Sequence, residues 1–416
     1  HNFLNDLFDF TLYEATLQTQ NIQIRADLLI KDKNYIHVVE VKSSTEIKEI
    51  YLVDSAIQYS VMTGAGFTPD KISLAHINNK FVYQGDSNYN DLFKVVDLTS
   101  EVSERAEQVP DWIEAANKTI AGGLPRIEVG EHCTKPYSCP FIKHCWEDIP
   151  VIEYPITKFP GLKKSKVTEL MKIGYEDIRD IPDGLLGDDT LQTRLNACRT
   201  GEQLIPDELQ NKLAQLQFPR YYLDFETIGF AVPKWSGTRP YEQLPFQWSC
   251  HIEDHSMEVS HTWFLDTSGN PPMQSFSEAL INALGDSGPV IVYSTFEKTV
   301  LRNLQERYPE YRESLQGIID RLFDLFQPIK THYFHRDLQG SYSIKNVLPT
   351  VVPDLKYSDL LDVQDGMMAQ QAYLEIINIK TTQERKRSLT KSLSKYCEMD
   401  TFAMVKLIQN LSKTNE

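Results

Sequence analysis

Long apolar runs are missing from this 416-residue chain. No stretch of about 18 apolar residues occurs, which excludes an ordinary membrane-spanning helix. A basic excess is missing too. Lys and Arg number 42 against 58 Asp and Glu, for a net charge of −16. This argues against nucleic-acid binding by bulk charge, although substrate contact can rest on a local basic groove. No basic-plus-apolar leader opens the chain, which starts at His1 without a methionine, so an upstream segment stays open. There is no internal repeat and no low-complexity stretch. Cysteine is scarce: of six, three fall at even spacing as Cys133, Cys139 and Cys145, and Cys198, Cys250 and Cys397 are single. That clustering points to a metal or iron–sulfur site in a reducing, cytoplasmic setting rather than to disulfides.

What is present is globular. Apolar residues make up 41% and charged residues 24%, and the length predicts two or three domains. Residues 1–150 read as an α/β unit. Strands are expected at Ile22–Ile30 and Tyr35–Ser43, a helix over 46–63, a hairpin of Ile72–Ile77 with Lys80–Tyr83, and a helix over Ser100–Ala121 interrupted at Pro110. Residues 151–215 read as a helical linker, with a helix-hairpin-helix module as the alternative. Residues 216–416 read as a second α/β unit. Its expected strands are Arg220–Phe225, Gln247–Ile252, His261–Leu265 and Val290–Ser294. Its expected helices are Met273–Leu284, Glu297–Arg307, Gln370–Ile377 and Ser388–Leu411.

Two places carry chemistry. In Tyr221–Thr227 (YYLDFET) period-two alternation sends Asp224 and Glu226 to one face, about 7 Å apart. Carboxylates that close repel unless a cation lies between them, and hard cations such as Mg²⁺ or Mn²⁺ take oxygen ligands. Tyr396 and Asp400 stand four apart on a helical pattern and so share a face. In Ile36–Lys42 the same alternation places Glu40 beside Lys42 at the end of an apolar strand. Asp27 on the preceding strand offers a second oxygen, and Gln58 on the following helix offers an orienting amide.

These motifs resemble known families. Asp27, Glu40-Val41-Lys42 and Gln58 resemble the D…E-x-K motif of PD-(D/E)XK nucleases, in particular the Cas4/RecB-like branch. Cys133, Cys139 and Cys145 resemble that branch's ligands to a [4Fe–4S] cluster. The family has a fourth cysteine upstream, and none precedes Cys133 here. The fourth ligand is therefore expected before His1, or the site is incomplete. Zn²⁺ on the three cysteines with His132 or His144 is the alternative. Asp224 and Glu226, with Tyr396-x3-Asp400, resemble the DEDD-type 3′–5′ exonucleases of the DnaQ-like group, which have an RNase H-like fold. Glu297 is expected as the middle acid, where that family has Asp, and Asp324 is its competitor. Tyr222–Phe230, Phe246–Cys250, Gly340–Pro349 and Tyr396–Asp400 resemble the family of bacterial proteins designated DUF2779. The resemblance implies a two-site nuclease that acts on DNA or RNA, single-stranded or with a free end, through Mg²⁺ or Mn²⁺. Lys345 is an implied phosphate contact. The alternative is a catalytically silent nucleic-acid-binding or scaffold protein.

Overall fold

The structure is a computed structural model that describes residues 9–19, 21–147, 149–355 and 363–413. The chain divides into two compact units. The first is His1–Ile149 with Gly229–Glu242; the second is Pro150–Ile228 with Gln243–Glu416.

The first unit is built on a five-stranded sheet in chain order: β1 (Phe10–Thr19), β2 (Ile22–Asp32), β3 (Tyr35–Lys42), β4 (Lys71–Ile77) and β5 (Phe93–Asp97). All neighbours are antiparallel except β3 and β4. A parallel pair needs a crossover, and α1 (Glu49–Gly64) supplies it. Ala26, Leu29, Val38, Ile72 and Leu74 of the sheet pack with Ala56, Val61 and Met62 of α1 in the core. The expected helix over 100–121 is two helices, α2 (Thr99–Ala106) and α3 (Val109–Ala121). Pro110 sits in the first turn of α3, where its missing N–H costs nothing. The expected strand Lys80–Tyr83 is irregular, and β4 pairs instead with β5. β5 escapes sequence detection because it is a five-residue edge strand, too short for a clear period, whose Phe93 and Val95 are exposed. β1 escapes because Glu14, at φ 55°, interrupts its alternation. A short helix, α4 (Ile142–Cys145), lies in the cysteine segment.

Residues 151–215 do not stand apart as a linker. Their helices α5 (Lys164–Lys172), α6 (Asp189–Thr200) and α7 (Asp207–Ala214) belong to the second unit. Tyr154, Ile156, Leu170, Ile178 and Leu195 bury themselves with Phe334. A segment that buries this much apolar surface within a domain is part of its core rather than a spacer.

The second sheet runs β10-β9-β6-β7-β8. It is built from β6 (Arg220–Ile228), β7 (Leu244–Glu253), β8 (Val259–Leu265), β9 (Val290–Val292) and β10 (Leu322–Asp324). β6, β7 and β8 form an antiparallel meander, and β9 and β10 extend it in parallel. The connections and covering layers are α8 (Met273–Ala283), α9 (Phe296–Arg307), α10 (Arg312–Asp320), α11 (Phe326–His332), α12 (Ile344–Val351), α13 (Gly366–Ile377) and the 29-residue α14 (Gln383–Leu411). β6 is central and covered on both faces, which explains its nearly continuous apolar character. α14 packs on β6 and β7, burying Leu393, Ala403, Met404 and Leu407. Among the described residues no helix is long and apolar enough to cross a membrane.

Where β6 begins, Arg220 and Tyr222 hold the buried carboxylate of Glu253. The Tyr222 hydroxyl donates to Glu253 Oε2 at 2.6 Å, and Arg220 Nη1 lies 3.4 Å from the same oxygen. Tyr222→Phe removes one donor from a buried charge, and a loss of about 1–3 kcal/mol is expected in urea unfolding. No change in the urea midpoint would show that this bond carries no stability.

Candidate metal-binding cleft

Asp224 and Glu226 lie on β6 and point the same way, as alternation requires. In the register with β7 they face Ser249 and Gln247. β9 runs parallel to β6, so both strands end on the same side of the sheet. The chain leaving β9 turns at once into α9, whose first turn carries Glu297. Sites in such sheets form where strand ends and helix starts meet. α14 crosses the sheet with Tyr396 and Asp400 one turn apart on the face toward β6, and Lys345 comes from the first turn of α12.

The structure brings Asp224, Glu226, Glu297, Tyr396, Asp400 and Lys345 to one cleft of about 440 Å³. Glu226, Glu297 and Asp400 are buried, at 8%, 4% and 8% exposure, and Asp224 is half-buried. Crowding of like charges away from water makes ionisation costly. Burial, then the neighbouring Asp400, pushes the Glu226 carboxyl up to about 8, with Lys345 opposing. Burial pushes Glu297 up to about 7; its own backbone N–H and Ser294 oppose this, and Asp324 and Asp400 add to it. Asp224 is raised well above the carboxylate range by burial, Asp400, Glu226 and Glu297. The Tyr396 phenol is held protonated by burial and by Asp400, Glu226 and Asp224. Lys345 Nζ lies 3.5 Å from the Tyr396 hydroxyl and donates to Gln364 O at 2.5 Å.

Cys397, which the sequence offers only as a single cysteine with no role, is buried beside Asp224. Its thiol lies 3.5 Å from Asp224 Oδ2. Ligand atoms of Asp224, Glu226 and Cys397 fall within 4.8 Å of one another. Burial drives the thiol pKa upward, so it donates a hydrogen bond rather than offering a thiolate. Its signal was its position three residues before Asp400, on the same helical face. Asp324 accepts the Phe326 N–H at 2.9 Å and does not line the cleft, although its charge acts on Glu297.

In the first unit, Glu40 is buried and Lys42 half-buried. Lys42 Nζ donates to Glu40 Oε1 at 2.6 Å and to Asp54 Oδ2 at 2.8 Å, and Gln58 Nε2 donates to Glu40 Oε2 at 2.7 Å. Asp27 Oδ2 accepts the Val41 N–H at 2.7 Å. Burial raises the Glu40 pKa, against Lys42 and Gln58. Burial alone would lower Lys42, but Asp54 and Glu40 outweigh it and keep the ammonium charged. Asp54 was missed, although it stands four residues before Gln58 on one helical face.

Cys133 is buried, Cys139 half-buried and Cys145 exposed. Among the described residues these three thiols do not gather with His132 or His144 into a group of three ligands. Cys139 N–H donates to the Cys133 carbonyl at 2.8 Å, and the Gly130 N–H donates to Cys133 Sγ at 3.5 Å.

Residues 221–343 match the model of a family described as a domain of unknown function (DUF2779). An uncharacterized protein of Mycoplasma pneumoniae is 30% identical over 213 residues, which cover 46% of this chain and 32% of that protein. An uncharacterized protein of Ureaplasma parvum serovar 3 is 25% identical over 279 residues, 61% of this chain and 39% of that protein. The chain thus spans well under half the length of these curated relatives. No solved structure matches it.

Proposed function

We propose that the second unit is a metal-dependent nuclease acting from the end of a nucleic-acid strand, with an RNase H-like, DnaQ-like fold. The observation that carries this reading is the meeting of four carboxylates, Asp224, Glu226, Glu297 and Asp400, in one cleft with a tyrosine and a lysine. The antiparallel meander extended by two parallel strands, with α14 laid across it, supports the fold reading. The donor set fits Mg²⁺ or Mn²⁺: the carboxylates are hard oxygen ligands, and the protonated Cys397 thiol adds no soft one. When bound, such ions polarise a phosphodiester and make a water nucleophilic near neutral pH.

The chain's own groups do the rest. The four carboxylates would hold the ions. Glu297 is one methylene longer than the aspartate of the resembled family, and it starts from a helix first turn fixed by Ser294, whose hydroxyl lies 3.3 Å from Glu297 Oε2. The neutral Tyr396 hydroxyl would share a hydrogen bond with the attacking water and orient it. Lys345 offsets charge on the phosphate. Phe225, Phe296 and Phe326 line the cleft and limit access of bulk water. The test is release of nucleotides from end-labelled DNA and RNA strands in Mn²⁺, comparing the native chain with Asp224→Ala.

We further propose that the first unit is a PD-(D/E)XK nuclease of the Cas4/RecB-like kind, supported by the Glu40–Lys42–Gln58 contacts beside Asp27. Lys42 would stabilise charge on the phosphate. In a chain already carrying Asp224→Ala, Lys42→Met is expected to reduce residual DNA cleavage about 100-fold. Unaltered residual cleavage removes this second site and leaves the first unit a binding module. For Cys133, Cys139 and Cys145 we propose a structural [4Fe–4S] cluster or Zn²⁺, to be read by metal analysis and absorption of the protein purified without oxygen.

A further inference from the structure

A second groove of about 580 Å³ runs between β8 and the N-terminal half of α14. It is lined by Lys386, Arg387, Lys391 and Lys395, with Trp263 from the edge strand β8 and no acidic residue. Among the described residues none of these four cations forms an ion pair or side-chain hydrogen bond, whereas Arg385 close by is paired with Glu375 at 2.9 Å. Trp263 is 46% exposed. In a chain of net charge −16, four uncompensated cations around one groove form a local reversal of sign. Lys386, Arg387, Lys391 and Lys395 are not among the residues that α14 buries in packing on the sheet. The groove is not the acidic cleft: at about 100° per residue, Lys391 and Tyr396 point about 140° apart around α14.

From this we infer that the groove binds single-stranded nucleic acid. The cations take backbone phosphates, and the Trp263 ring stacks with an unpaired base. Charge complementarity selects a polyanion, and the flat exposed ring among the cations selects one with free aromatic faces. A duplex hides those faces. The inference rests on the nuclease reading only in preferring nucleic acid to other polyanions. Its role is to hold the strand, not to perform chemistry.

The experiment is fluorescence anisotropy of a labelled oligothymidylate of about 20 nucleotides with the full chain, in chelator so that no metal-dependent cleavage occurs, from about 50 to 200 mM salt. Combined Lys386→Gln, Arg387→Gln, Lys391→Gln and Lys395→Gln is expected to weaken binding at least about 10-fold. It should also reduce the slope of log affinity against log salt by about 2–3, at about 0.7 per phosphate contact. Trp263→Ala is expected to weaken binding about 10-fold with the slope unchanged. If the fourfold variant unfolds, Lys391→Gln with Lys395→Gln decides, with about half the loss of slope. Absence of binding by the native chain, or unchanged affinity and slope in the variants, overturns the inference. So does equal competition by polyglutamate together with no effect of Trp263→Ala, which would mark an acidic protein partner instead. Lack of cleavage in metal assays would sink the nuclease reading and leave a positive binding result standing. Unchanged binding sinks the groove even where cleavage is present.

Discussion

Asp224→Ala is expected to lower Mn²⁺-dependent release of nucleotides from a single strand by about 10³-fold, and Asp400→Ala by a similar factor. Each change removes a charged oxygen from the set that would hold the ions. Loss of several kcal/mol of transition-state stabilisation corresponds to that factor. Tyr396→Phe should cost less, about 10²-fold, because it leaves the carboxylates and removes only the group proposed to orient water. The two aspartates come from a central strand and from α14, far apart in the chain, so a shared effect reports their convergence and not a local defect. Exonuclease activity that survives both alanine variants would falsify the assignment of this cleft. Full activity in the Tyr396 variant would remove the tyrosine from the mechanism while leaving the acids in place.

The second large effect is on stability. In chelator-treated protein, Glu226 at about 8, Glu297 at about 7 and a raised Asp224 all favour protonation in the folded state. Unfolded carboxyls titrate near 4. The folded state therefore holds more protons between about pH 4 and 8. Stability from these groups is fully present below the unfolded pKa and is lost as pH rises through 7 to 8. The decline should amount to several kcal/mol in urea unfolding between about pH 5 and 8. Mg²⁺ or Mn²⁺ competes with those protons. It should raise the melting temperature more at pH 8 than at pH 6. Glu226→Gln removes one of the raised acids and should flatten the decline. Stability that rises over this range without metal, or a melting temperature indifferent to Mn²⁺ at pH 8, contradicts the metal-cleft reading.

Much of the second unit was legible in the sequence. β6 and the helices carrying Glu297 and Tyr396–Asp400 follow from apolar periodicity and punctuation, because local propensity and burial agree there. Short elements such as β10, α11 and α12 were not legible: a three-residue strand has no period to detect. The cysteine segment shows the opposite case. Its even spacing is a clear motif, yet spacing along the chain does not fix where thiols point, and the structure leaves the three at different depths. Lys42 was legible as a neighbour of Glu40 because alternation forces it. Its contact with Asp54 was not, because it depends on how α1 settles against β3.

The sequence by itself determined the acidic pairs, their faces and the elements that carry them, because period two and period 3.6 are properties of the backbone. Tertiary structure decided which of Glu297 and Asp324 lines the cleft with Asp224 and Glu226. β9 runs parallel to β6, so the helix that follows it starts at the mouth of the cleft and delivers Glu297 there, while Asp324 is spent on the Phe326 N–H. It also decided that residues 151–215 belong to the second unit, because their apolar side chains find partners there. It created the basic groove, since the cations of α14 meet Trp263 only when the edge of the sheet is laid beside that helix.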